Sequence, residues 1–86
     1  MFVLHLNQYT GDPPVQSNET LLARNHSIEF IGESVYWIVS AFIAALNPNW
    51  TAETSNEGLQ CMVFTHDGVR RARLIVQEEI EGRKVE

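Results

Sequence analysis

Leu59-Gln60-Cys61-Met62-Val63-Phe64-Thr65-His66-Asp67-Gly68-Val69-Arg70-Arg71-Ala72-Arg73-Leu74-Ile75-Val76-Gln77 is the stretch on which the fold turns. Two segments rich in β-branched and apolar residues flank Asp67-Gly68, and Asp-Gly suits the paired positive φ angles of a type I′ turn. A two-residue loop pairs His66 with Val69, Phe64 with Arg71, Met62 with Arg73 and Cys61 with Leu74. Leu59, Cys61, Val63, Ala72, Leu74 and Val76 then share one face. Met62, Phe64, His66, Val69, Arg71, Arg73 and Ile75 share the other. A three-residue loop would set Val63 against Arg71 and Cys61 against Arg73, burying charge, so the two-residue register is expected.

Working outward, Val35 to Leu46 is an apolar run ending at Asn47-Pro48, where the residue before proline leaves helical geometry. With Ser34 as N-cap and Glu33 near the positive end of the dipole, this predicts a helix over residues 34–46. Phe2 to Tyr9 alternates as a half-buried strand does, and Gly11-Asp12-Pro13-Pro14 stops it. Within residues 16–31, Leu21–Arg24 fits a short strand or one helical turn and Ser27–Ile31 a strand, and a second hairpin is the reading preferred. Residues 50–58 can hold a short edge strand. The expected fold is α+β: a small antiparallel sheet of four to five strands in the order β(ββ)αββ, with one helix on one face. It forms a single domain over residues 1–80, and 81–86 is read as a frayed charged tail.

The chain has 86 residues, room for one core that buries only about 60 to 65 % of its unfolded surface. Its 44 % apolar and 20 % charged residues are those of a globular chain. One cysteine allows no internal disulfide, and with no basic leader before Arg24 the expectation is a cytoplasmic protein. The run from Val35 to Leu46 spans roughly 18 Å as a helix, short of a bilayer core. Residues 1–69 carry seven acids and one base, a balance of −6, and residues 70–86 carry five bases and four acids. Such a surface repels phosphate over most of its extent, so direct nucleic-acid binding is not expected.

No motif supplies catalysis. Cys61 and His66 are five apart on one strand, so they project to opposite faces and form no nucleophile–base pair. His5, His26 and His66 lack metal-ligand spacing, and the five scattered glycines make no phosphate loop. Neither metal nor cofactor is expected, and the chain is read as non-enzymatic.

Two surfaces exceed what packing needs. On a helical wheel, Val35, Ile38, Val39, Phe42 and Leu46 form the stripe that meets the sheet. Tyr36, Trp37, Ser40, Ala41 and Ala44 lie opposite with almost no charge. Either segments 10–26 and 47–58 fold over that side, or it is an interface for a protein partner or for a second copy in a homo-oligomer. The second surface is the hairpin face with Met62, Phe64, His66, Arg71 and Arg73: either a second buried sheet face with arginines extending from its rim, or a surface whose composition suits protein contacts or stacking on a planar ligand. Acidic contacts are expected at Glu29, Glu33, Glu53 and Glu57. The function expected is that of a small acidic protein-binding inhibitor or regulator, of the kind a phage or mobile element could direct at a host nucleic-acid enzyme or defence system. The alternative is an oligomeric nucleotide- or anion-binding protein that uses the hairpin arginines.

Overall fold

In the computed structural model, which describes residues 1–45 and 47–80, the chain opens with a hairpin of β1 (Phe2–Thr10) and β2 (Val15–Asn25). Helix α1 (Ile28–Ala45) follows, then β3 (Trp50–Ser55), β4 (Gln60–His66) and β5 (Val69–Glu78). All five strands form one antiparallel sheet in the order β2-β1-β5-β4-β3, an α+β fold with one helix on one face. Helix α1 carries the chain from the β2 edge to the β3 edge.

The segment 16–31 departs from the expected hairpin. Gly11, at φ 92°, and the two prolines close a turn that sends the chain straight back along β1, so 15–25 is one continuous strand. Ser27 then caps the helix, and not Ser34: the Phe30 amide donates to Ser27 Oγ at 3.2 Å, and the Ser27 amide to Asn25 Oδ1 at 2.8 Å. Ser34 lies inside the helix, its hydroxyl donating to the Phe30 carbonyl at 3.0 Å. Ile28 and Phe30 alternate as in a strand, but Ile31 and Val35, four apart, are the residues that bury. Leu46 and the tail 81–86 lie outside the described residues.

The β4–β5 turn has the expected geometry, with Asp67 at φ 53° and Gly68 at φ 80°. The register holds for His66 with Val69 and Thr65 with Arg70, and then shifts. Arg71 is an extra residue on β5, a bulge, so Phe64 pairs with Ala72, Val63 with Arg73, Met62 with Leu74 and Cys61 with Ile75. One inserted residue exchanges the two faces of β4 beyond the bulge relative to the expected pairing. The expected grouping of Leu59, Cys61 and Val63 with Ala72, Leu74 and Val76 is therefore corrected. Phe64 and Met62 join Ala72, Leu74 and Val76 beneath the helix, and Cys61, Val63 and Ile75 form a small cluster on the opposite face. Leu59 precedes β4 and is exposed.

The core lies between α1 and the sheet. Leu4, Phe64, Leu74 and Val76 meet Ile31 and Val35, with Ile38, Val39 and Phe42 packed against them. Phe42 and Phe64 meet edge to face, ring centroids 5.5 Å apart. With 18 residues and mean hydropathy 1.5, α1 has the length and composition of a membrane span. In this fold its inner face packs on the sheet.

Candidate functional site

Among the described residues nothing covers the outer face of α1. β2 and β3 form the two edges of the sheet, so segments 10–26 and 47–58 are not draped over the helix, and Tyr36 and Trp37 remain 63 % and 64 % exposed. Their rings pack edge to face with centroids 5.2 Å apart, which holds both in a preferred aromatic geometry. Ser40, Ala41 and Ala44 are exposed beside them, so the structure brings together all five residues expected at this interface. Phe30 and Ile43, about half exposed, extend the apolar surface in directions the sequence reading missed. Their signal was the helix itself: a helix starting at Ile28 places Phe30 on the outer side.

Two hollows flank this face. One of about 280 Å³ runs between α1 and β4, lined by Gly32, Tyr36, Val39 and Met62 among others. The other, about 210 Å³, lies at the C-terminal end of α1 between Phe42, Ala45, Trp50, Phe64 and Ala72, all apolar. Trp50 stands at its edge against the His66 ring, centroids 4.9 Å apart. A single helix of roughly 10 to 12 Å diameter cannot cover five strands spaced about 4.8 Å apart, which accounts for the hollows beside it.

The second expected surface is dispersed. Met62 and Phe64 lie in or against the core beneath α1, His66 packs on Trp50, and bulged Arg71 donates to the Gly11 carbonyl at 3.0 Å. Arg73 projects to the opposite side of the sheet, where it is built into a network. Its Nε and Nη2 donate to Asn7 Oδ1 at 3.0 and 2.8 Å, and its Nη1 pairs with Glu57. Asn7 is fully buried and donates through Nδ2 to Glu19 Oε2 at 2.9 Å. Glu57 also accepts from Ser55 Oγ at 2.6 Å and Arg70 Nη2 at 3.1 Å. Arg70 lies over the Tyr9 ring. The Ser55 hydroxyl first, then Arg73 and Arg70, hold the Glu57 carboxyl down to about 2. These groups satisfy one another and clamp the open side of the sheet, so their charges are already matched within the fold.

The four acids are likewise not one surface. Glu29 and Glu33 are exposed on the first turns of α1, Glu53 is exposed on β3, and Glu57 sits in the network. Cys61 is buried and burial pushes its thiol up, leaving it a packing residue. Among the described residues no three His, Cys, Asp or Glu side chains converge to hold a metal ion. Comparison with protein-family models, curated proteins and solved structures finds no match to this chain.

Proposed function

We propose that the chain is a small, acidic, non-enzymatic protein-binding module whose contact surface is the outer face of α1, and that it inhibits or regulates the partner it captures. The observation that carries this is the exposure of an edge-to-face Tyr36–Trp37 pair on a helix whose every other outward residue is apolar, small or acidic. Tyr and Trp are enriched at interface centres, and the small residues beside them let a partner approach the helix closely. Glu29 and Glu33 lie toward its N-terminal end, and with a net charge of −5 they favour a partner with a basic rim, such as a nucleic-acid enzyme. A cytoplasmic setting, and an origin in a phage or mobile element, belong to the same proposal. The internal pairing of Arg70 and Arg73 favours this reading over nucleotide or anion binding by the hairpin.

Capture from host lysate with wild type, Trp37→Glu and Arg71→Glu tests it. Removing a central anchor and leaving a carboxylate in its place is expected to weaken capture by about 30-fold or more, the effect of roughly 2 kcal/mol. Arg71→Glu is expected to capture as wild type does. A partner lost with Arg71→Glu and retained with Trp37→Glu would move the surface to the β5 bulge.

A further inference from the structure

Resting on the reading of α1 as a binding surface, we infer that in the absence of a target this face is occupied by a second copy of the chain, the two α1 helices packing antiparallel about a two-fold axis beside Ser40. The strip is asymmetric along its length. Trp37 is bulky, and Ser40, Ala41 and Ala44, on the same side one to two turns on, are shallow. An isologous contact needs a surface that complements its own rotated image. Rotation about an axis at Ser40 pairs position 36 with 44 and 37 with 43, so Tyr36 of each copy fills the shallow site at Ala44 of the other and Trp37 meets Ile43. Small side chains at the crossing allow the helices to approach at the short end of the 8 to 10 Å range.

The area suffices. Tyr36 and Trp37, each nearly two-thirds exposed, offer roughly 250 Å² together on the scale of aromatic side chains. With Ile43 and the three small residues the strip offers about 500 Å² per copy, hence about 1,000 Å² for the pair, the lower bound of a specific interface. Charge selects the orientation. Both acids of the helix, Glu29 and Glu33, lie in its first half and no base lies on it. Parallel packing would set four carboxylates together. Antiparallel packing about Ser40 separates the two Glu33 positions by fourteen residues of rise, roughly 20 Å, more than twice the Debye length at physiological salt. The same acids and the net negative charge oppose adsorption to an anionic lipid surface.

The test is sedimentation equilibrium of wild type and Ala44→Arg, with short bismaleimide cross-linking of Ser40→Cys and, as a control on β3, Glu53→Cys. The expected results are a twofold mass for wild type at high micromolar concentration, a single mass for Ala44→Arg with an unchanged circular dichroism spectrum, and covalent dimers from Ser40→Cys but not from Glu53→Cys. A wild type that stays monomeric, or a dimer that links through Glu53→Cys and not Ser40→Cys, would overturn the inference. So would a monomer that instead floats with phosphatidylcholine vesicles, which would assign the face to lipid. A monomeric wild type whose partner capture is still lost in Trp37→Glu overturns the second copy alone and leaves the protein-binding reading standing.

Discussion

Gly58→Val will destabilise the protein by about 3 to 5 kcal/mol, a large share of the roughly 4 to 13 kcal/mol expected of a chain this long. Gly58 has φ 59°, where a β-branched side chain is strained by about 1 to 3 kcal/mol. A Cβ there would also stand 2.6 Å from the Val76 carbonyl oxygen and 2.9 Å from Ile75 Cγ1. That carbonyl belongs to a buried strand residue and accepts the Leu59 amide at 2.8 Å, so it cannot withdraw, and the forced overlap adds about 1 to 3 kcal/mol more. Gly68→Val is the control, because Gly68 also has positive φ but has nothing within 4 Å of the added Cβ. Urea midpoints followed by tryptophan fluorescence should fall further for Gly58→Val. Equal shifts for the two variants would mean that the close approach of the 55–59 loop to β5 contributes nothing.

Arg73→Ala is expected to cost about 2 to 4 kcal/mol, because it strips the buried Asn7 oxygen of both donors and leaves Glu57 short of a partner. Arg73→Lys should recover little, since one ammonium cannot reproduce a fork that donates to Asn7 and Glu57 at once. The same network sets a pH dependence. Glu57 is held down to about 2 in the fold, below the ordinary carboxylate value near 4.5. Its stabilisation is therefore complete above about pH 4.5 and is lost as pH falls from there toward 2. Wild type should lose more stability than Glu57→Gln across that window, measured by urea midpoint at a series of pH values. Parallel losses in the two proteins would show that Glu57 does not couple folding to protons.

These two sites divide what the sequence could disclose from what it could not. Asp67-Gly68 announces its turn because a tight hairpin demands positive φ at both positions, and both residues have it. That α1 stops before Asn47-Pro48 was legible for an equally local reason. The Arg71 bulge was not, since no residue type marks an extra residue inside a strand, and that one insertion reassigned Met62, Phe64 and Arg73 to different sides of the sheet. Glu57, in a polar loop, meets Arg73 across 16 positions and Arg73 meets Asn7 across 66, distances that periodicity does not reach. A signal did exist for Arg73, which stands between Ala72 and the apolar run Leu74-Ile75-Val76 of β5, where a polar side chain needs a partner. The outer helix face was legible as an excess of apolar side chains, and that no described segment covers it became visible only once β2 and β3 were placed at the sheet edges.

The most direct measurement of the central claim is acrylamide quenching of Trp37 in a Trp50→Phe variant, in which it is the sole tryptophan. The outer face of α1, if open and then used, predicts ready quenching in the dilute isolated protein and strong protection, with a blue-shifted emission, when the protein is concentrated or bound to its captured partner. Trp37 protected equally at every dilution, or quenched as freely in the complex as alone, would contradict it.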